Sequence, residues 1–252
     1  MTVQAQKDVK KEAFRLFEEG RYQESLEICT ALPVVDRDAA VEVLTATNLF
    51  YTGKTGDAEV CFRDLLQKMP DSSYVHSYLG KILEERGDES AIAEYATAVH
   101  LDPTNQDALR SYADYQFSRQ DYRGALPVLH RLVRQANNPA EVQKMMRAFI
   151  EIGDVGEALI LADNSGRENK RTAEYIDALA KTGKFHEAAK SACQLYTETK
   201  DPAMLRMYLA LLSRYDTPAA LAMYASHVST SADCDILLDY VLLLKSGGHF
   251  AC

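Results

Sequence analysis

The sequence predicts an all-α fold of about seven helix pairs followed by one C-terminal helix. Apolar residues recur at helical spacing in short blocks, and a turn separates each block from the next. The pattern also repeats, because a small residue just inside the second helix of each unit returns after 33, 33, 34, 33, 30 and 31 residues. A period of this length is typical of an array in which each helix pair packs against its neighbours. The anchor residues are Ser25, Ala58, Ala91, Ala125, Ala158, Ala188 and Ala219 or the adjacent Ala220.

Residues 73–105 show one unit most clearly. Tyr74, Leu79 and Leu83 recur at helical spacing, and Gly87-Asp88 interrupts the run. A second helical run follows and ends at Asp102-Pro103. The unit therefore consists of two helices joined by a tight turn.

A similar turn precedes most of the anchors. It usually begins with glycine, which supplies the left-handed backbone conformation that ends a helix. The six turns are Gly20-Arg21-Tyr22, Gly53-Lys54-Thr55, Gly87-Asp88, Gln120-Asp121-Tyr122, Gly153-Asp154-Val155 and Gly183-Lys184-Phe185.

The units follow one another along the chain and predict one continuous domain over residues 1–252. Regular repeats are expected over about 6–162, shorter divergent repeats over about 170–225, and a half repeat or capping helix over about 233–252. Pro127 lies inside the second helix of the fourth unit, which predicts a late start or a bend there because proline lacks a backbone N–H. The unit boundaries are about 6–33, 38–70, 73–105, 106–136, 139–162, 170–196 and 201–225.

One position of the first helix changes in size along the chain. Small residues there allow two helices to approach closely, whereas large ones separate them or change their crossing angle. We therefore expect a looser array after about residue 160. The position holds Ala13, Ala46, Gly80 and Ala113 in the first four units and Met146, Ile176 and Met207 in the last three.

Residues 235–245, with the sequence DILLDYVLLLK, are apolar on nearly all sides and predict a buried helix. Gly248-His249-Phe250 then resembles the earlier turns, and one more unit length would place the next anchor directly after Cys252. We interpret this end as half of an eighth unit. It either caps the array with an apolar side exposed or belongs to a longer protein.

Composition limits the functional classes. The net charge of −9 argues against a nucleic-acid partner, and no window is apolar enough to cross a membrane. The five cysteines lack metal-ligand spacing, and the first residues contain no apolar signal-peptide core. We therefore expect a cytoplasmic protein that binds no metal or other cofactor.

No motif supports catalysis. Thr52-Gly53-Lys54-Thr55 looks like the end of a phosphate-binding loop, but Asn48 stands where that loop requires glycine, and a helix precedes it instead of a strand. No nucleophile lies in a recognisable local frame. The six histidines are scattered, and no two share metal-ligand spacing on one helix face. The sequence predicts a protein that is not an enzyme.

The unit at residues 73–105 resembles a tetratricopeptide repeat (TPR). The resemblance implies a right-handed α-α superhelix, a TPR solenoid, in which the first helix of each pair faces a concave groove. It rests on Leu79-Gly80, Gly87-Asp88, Ala91, Tyr95, Ala98 and Asp102-Pro103.

The same resemblance implies which side chains face the groove. Most of them are aromatic or basic residues in an otherwise acidic chain, and such residues dominate many binding sites. We predict that they bind a peptide or partner helix of acidic character, although the same positions also suit the ordinary surface of an amphipathic helix. The alternative function is self-association through the apolar C-terminal helix. The predicted peptide-binding residues are Tyr74, Tyr78, Lys81, Arg110, Asp114, Lys144 and Arg147. His76 is the only histidine that neighbours this groove.

One subtype of the family does not fit. TPR proteins that clamp acidic chaperone tails carry lysine, asparagine and arginine at set groove positions. At the matching positions this chain has Lys10 and Phe14, then Leu44, then Tyr74 and Tyr78. The sequence therefore does not predict a chaperone tail as the partner.

Overall fold

A computed structural model of the chain describes residues 3–136, 138–228 and 234–246. In these ranges the chain forms fifteen α-helices and two short 3₁₀ segments, and it forms no strand. The predicted all-α fold of seven helix pairs and a C-terminal helix is confirmed. The helices are α1 (Val3–Glu18), α2 (Tyr22–Ala31), α3 (Ala39–Tyr51), α4 (Thr55–Lys68), α5 (Ser73–Glu85), α6 (Ala91–Leu101), α7 (Gln106–Ser118), α8 (Tyr122–Ala136), α9 (Pro139–Glu151), α10 (Val155–Asn164), α11 (Ala173–Lys181), α12 (Phe185–Thr199), α13 (Pro202–Tyr215), α14 (Thr217–Val228) and α15 (Cys234–Ser246).

The helices group into two compact units. The N-terminal unit, Met1–Asp121, contains α1 to α7, and the C-terminal unit, Tyr122–Cys252, contains α8 to α15. The single continuous domain stays a prediction.

Side-chain caps fix the start of the first helix in several pairs of the N-terminal unit. Asp38 accepts a hydrogen bond from the backbone N–H of Val41 in α3, and Ser72 accepts one from Val75 in α5. These bonds satisfy N–H groups that have no partner within the helix. Apolar side chains of neighbouring pairs then share a core, in which the ring of Phe62 on α4 stacks on that of Tyr78 on α5.

The turns have the predicted form. Gly53 adopts a φ of 78°, and the N–H of the following Lys54 bonds to the carbonyl of Leu49 at 2.9 Å. Thr52-Gly53-Lys54-Thr55 therefore links α3 to α4 as a helix–helix turn. Gln120 adopts a similar φ of 59° where most of the other turns have glycine.

The small residue of the third unit stands at a close contact. A β-carbon added to Gly80 of α5 would lie 2.8 Å from two ring carbons of Tyr95 on α6. Tyr95 is fully buried, and its hydroxyl donates a hydrogen bond to Glu84 at 2.6 Å. The ring is therefore fixed, and only glycine allows α5 and α6 to pack this closely.

Two expectations for the C-terminal unit need correction. The helix α8 begins at Tyr122 and continues past Pro127 to Ala136, so the late start is wrong, whereas the alternative of a bend stays a prediction. The helix α15 is not buried on all sides. Its Ile236 packs into a core with Leu209 and Tyr224, while other leucines of the helix face outward.

The outward face of α15 consists of apolar side chains that are 40–57% exposed, namely Leu237, Leu238, Val241 and Leu242. The predicted turn Gly248-His249-Phe250 lies outside the described residues.

Candidate functional site

The helices α5 and α7 form the walls of a cleft in the N-terminal unit, which we call the α5–α7 cleft. Residues spaced by three and four positions share one helix face, and this spacing turns the lining residues of both helices toward the same space. The cleft has a volume of about 230 Å³. Its lining residues are Tyr51, Tyr74, Ser77, Tyr78, Lys81, Asn105, Asp107, Arg110, Ser111 and Asp114.

Aromatic rings form the floor of the cleft. The ring of Tyr78 lies 4.7 Å from that of Tyr74 and stacks on Phe62 at 5.2 Å. Its hydroxyl lies 3.2 Å from that of Tyr51. The pKa of Tyr78 is raised far above its usual value. Burial is the main cause, and hydrogen bonds with the hydroxyls of Tyr51 and Tyr74 add to it. Tyr78 therefore stays neutral in the folded protein at physiological pH.

The prediction that Tyr78 presents itself to a ligand needs correction. Tyr78 is only 6% exposed, because Phe62, Tyr51 and Tyr74 cover its ring. Most of its contacts are thus with the core of the unit. Tyr74 is half-buried, and its hydroxyl lies 3.1 Å from Oγ1 of Thr47.

Lys81 places its ammonium group above this aromatic floor. Its Nζ lies 4.5 Å from the ring centre of Tyr78, which is the geometry of a cation–π contact. No acidic side chain of the described chain forms an ion pair with Lys81. A carboxylate entering the cleft could therefore bind Lys81 without first breaking an ion pair.

Arg110 differs from Lys81, because partners on its own helix already hold it. Its Nη2 donates to Oε1 of Gln106 at 3.0 Å, and its Nη1 lies 3.6 Å from Oδ1 of Asp107. Asp107 and Asp114 bring two negative charges to the same cleft. These equal in number the two positive charges of Lys81 and Arg110. The expected positive lean of the groove is therefore not observed in this cleft.

The structure brings together five of the seven predicted binding residues. Lys144 and Arg147 lie on α9 of the C-terminal unit, three positions apart and thus on one helix face. They are not among the residues that line the α5–α7 cleft. The five that line it are Tyr74, Tyr78, Lys81, Arg110 and Asp114.

Five lining residues are not among the seven, namely Tyr51, Ser77, Asn105, Asp107 and Ser111. Asn105 caps α7 by accepting the N–H of Ala108 at 3.1 Å, and its Nδ2 donates to Oγ of Ser73 at 2.9 Å. An asparagine directly before a helix signals a cap, but this signal does not place the residue at a cleft.

His76, which neighbours the predicted groove, has a different surrounding. Its Nδ1 lies 2.7 Å from a carboxylate oxygen of Glu94 on α6, and its Nε2 lies 3.0 Å from the carbonyl oxygen of Pro70. Both ring nitrogens thus serve the contacts of α5 with its neighbours, and His76 does not line the α5–α7 cleft.

A second cleft, the α1–α3 cleft, adjoins the first. It has a volume of about 450 Å³ and a largely apolar lining. Tyr74 lines both clefts. The lining residues of the α1–α3 cleft are Phe14, Phe17, Glu18, Ala39, Ala40, Val43, Leu44, Met69, Ser72 and Tyr74.

The described residues contain neither an arrangement for a metal ion nor a helix that could cross a membrane. No group of three His, Cys, Asp or Glu side chains in that part of the chain is arranged to hold a metal ion. None of its helices is both long enough and apolar enough to span a bilayer.

Solved structures with the same architecture cover most of this chain. The C-terminal part of a TPR repeat-containing protein from Cytophaga hutchinsonii matches with a TM-score of 0.71 and 16% identity, over 90% of this chain and 98% of that one. A tetratricopeptide repeat protein from Parabacteroides merdae matches with a TM-score of 0.56 and 16% identity, over 95% of this chain and 98% of that one.

A third similar structure is that of Naa15/Naa10 bound to HypK-THB, with a TM-score of 0.61 and 17% identity. The match covers 98% of this chain but only 39% of that one. No protein-family model matches the sequence, and no curated protein matches it. At identities of 16–17% the similarity establishes the architecture alone. The chain has the fold of the tetratricopeptide-repeat proteins.

Proposed function

We propose that the protein is a non-enzymatic scaffold that binds a peptide segment or helix of a partner protein in the α5–α7 cleft. The observation that carries this proposal is Lys81, a cation without an ion pair above an aromatic floor. Charged groups of this kind give binding sites their specificity, because a partner carboxylate is attracted while a partner ammonium is repelled. The similar Naa15/Naa10 structure is also a complex with a bound protein component.

The ligand on this proposal carries an acidic group that contacts Lys81. Tyr74 and Arg110 supply further contact area at the sides of the cleft. Arg110, Asp107 and Asp114 together carry a net charge of −1, so the preference for an acidic group depends on Lys81, which forms no ion pair within the described residues. Lys144 and Arg147 remain predicted binding residues on α9.

A peptide library displayed on phage tests the proposal. We expect panning on the purified protein to enrich peptides that contain Asp or Glu. Lys81→Gln should weaken their binding at least tenfold in fluorescence anisotropy, equivalent to about 1.4 kcal/mol. Lys54→Gln in the α3–α4 turn is the matched control, because it removes the same charge outside the cleft. Failure to enrich any peptide, or equal losses for both variants, would contradict the proposal.

Tyr78→Ala is unsuitable for this test, since the buried ring belongs to the core and its loss would unfold the site. Arg110→Ala is suitable, because the side chain of Arg110 is partly exposed. We expect it to weaken the selected peptides by about 1 kcal/mol.

A second candidate function is self-association through α15. The apolar face formed by Leu237, Leu238, Val241 and Leu242 favours it, because contiguous exposed apolar side chains often mark an interaction surface. Light scattering over a concentration series should then show a mass that rises with concentration and returns to the monomer in Leu238→Glu. Val60→Glu, on an exposed side chain of α4, is the control. A monomer at all concentrations would exclude this function.

A further inference from the structure

The α1–α3 cleft adjoins the α5–α7 cleft, and Tyr74 lines both. We propose that the partner segment carries a large apolar side chain near its acidic group, and that this side chain binds in the α1–α3 cleft. The inference rests on the proposed function, since it identifies the chemistry of the ligand that the α5–α7 cleft binds.

The size and lining of the cleft suit an apolar group. Its volume of about 450 Å³ lies within the range of ligand pockets, roughly 300–1,000 Å³. Leu44 is buried, and the half-buried Val43 and Met69 also line the cleft. Phe14 is 39% exposed at this cleft although it is a large aromatic residue. An apolar side chain of a ligand would remove this surface from water.

The two clefts meet at one side chain. Tyr74 lines both of them, and two contacts hold it in place: its hydroxyl with Thr47 and its ring with Tyr78. A ligand that occupies both clefts must therefore pass over Tyr74. This fixes the order of its groups, with the apolar residue toward α1 and α3 and the acidic residue toward Lys81.

Charge on α1 supports the same ligand. Lys7, Lys11, Phe14 and Glu18 recur at intervals of four and three residues, so they form one stripe along α1. Lys7 and Lys11 form no ion pair with any residue in the described part of the chain, and both are exposed. An acidic segment continuing beyond the apolar anchor would thus meet two further lysines.

The test uses synthetic peptide libraries that hold one glutamate fixed and vary the other positions. We expect the protein to select Leu, Ile, Met or Phe at one constant distance from the glutamate. Ala40→Glu should then weaken the selected peptides at least about fivefold. It places a carboxylate in the wall of the cleft, and the variant should fold because negative charge is favourable in the first turn of a helix.

Ala203→Glu is the matched control. Ala203 also occupies the second position of a helix that an aspartate caps, but it lies in the C-terminal unit. It should leave peptide binding unchanged. Phe14→Ser is a second cleft variant, and it should likewise weaken binding at least about fivefold.

Each other outcome has a definite meaning. Selection of glutamate alone, sensitive to Lys81→Gln but not to Ala40→Glu or Phe14→Ser, would overturn this inference and leave the proposed function intact. No peptide selection at all would overturn the proposed function as well. A concentration-dependent mass that Ala40→Glu abolishes would assign the cleft to a second copy of the chain and would also overturn the inference.

Discussion

At the scale of single residues, Gly80 decides how closely α5 and α6 pack. We predict that Gly80→Ala lowers the free energy of unfolding by up to about 2 kcal/mol. Alanine favours a helix over glycine by about 1 kcal/mol, but the added β-carbon would lie 2.8 Å from the fixed ring of Tyr95, and such overpacking costs roughly 1–3 kcal/mol. Urea unfolding followed by circular dichroism measures the difference.

Gly56→Ala provides the opposite case. Gly56 lies in α4, and a β-carbon added there meets no atom within 4 Å. Only the helix preference remains, so this variant should be more stable than the wild type by up to about 1 kcal/mol. If both variants shift stability in the same direction, the close contact with Tyr95 does not limit the packing of α5 on α6.

The residue scale also shows what spacing can and cannot predict. Helical periodicity placed Tyr74, Tyr78 and Lys81 on one face of α5, and all three line one cleft. It could not predict the depth of Tyr78, because that depends on Phe62 and Tyr51, which reach it from α4 and α3. Contacts between helices that are distant in sequence have no local signature.

At the scale of elements, a buried carboxylate joins α4 to the end of α5. Glu59 of α4 forms ion pairs with Arg63, one turn further on at 2.6 Å, and with Arg86 directly after α5. Its side chain is only 5% exposed, whereas both arginines reach solvent. One carboxylate with two charged partners therefore holds these neighbouring helices together.

We predict that Glu59→Gln lowers the free energy of unfolding by about 1–2 kcal/mol, because a neutral amide cannot replace a carboxylate that accepts from two arginines. The expected loss is moderate, since the remaining arginines are solvated. Urea unfolding at two salt concentrations measures it, and the loss should shrink at high salt.

Glu89→Gln is the control for Glu59→Gln. Glu89 pairs with Arg119 at 3.0 Å, but the two side chains are 82% and 56% exposed. An exposed pair of this kind contributes little, so the change should stay below about 0.5 kcal/mol. Equal effects for the two variants would mean that burial adds nothing to the ion pairs of Glu59.

The prediction of elements from the sequence failed where tertiary packing overrides local preference. Pro127 removes one backbone hydrogen bond from α8, yet the helix begins at Tyr122 and packs against α9. The apolar pattern of residues 235–245 predicted burial on all sides. The described residues provide packing partners for Ile236 but not for Leu238 or Leu242.

At the scale of the whole molecule, buried and half-buried tyrosines make the free energy of unfolding depend on pH in the alkaline range. Burial is the main cause that raises the pKa of each, and for Tyr224 it raises the pKa to about 12. The hydrogen bond from Tyr95 to Glu84 raises the pKa of Tyr95 further. Burial raises the pKa of seven of the fourteen tyrosines, namely Tyr74, Tyr78, Tyr95, Tyr112, Tyr175, Tyr208 and Tyr224.

These shifts predict that the protein loses stability above about pH 10. An unfolded tyrosine releases its proton near pH 10, whereas the buried one keeps it, so the folded state binds more protons in this range. The stabilising effect is complete below about pH 10 and is lost as the pH rises toward the folded pKa. Between its unfolded and folded pKa, each such tyrosine lowers the free energy of unfolding by up to about 1.4 kcal/mol per pH unit.

Urea unfolding between pH 8 and pH 11 tests this coupling in the wild type, Tyr95→Phe and Tyr224→Phe. Phenylalanine keeps most of the ring packing but has no proton to release, so each variant should lose less stability than the wild type above about pH 10. Tyrosinate absorbance should also rise at higher pH in the folded protein than in urea. A variant whose stability falls as steeply as that of the wild type would show that its tyrosine ionises alike in the folded and unfolded chain.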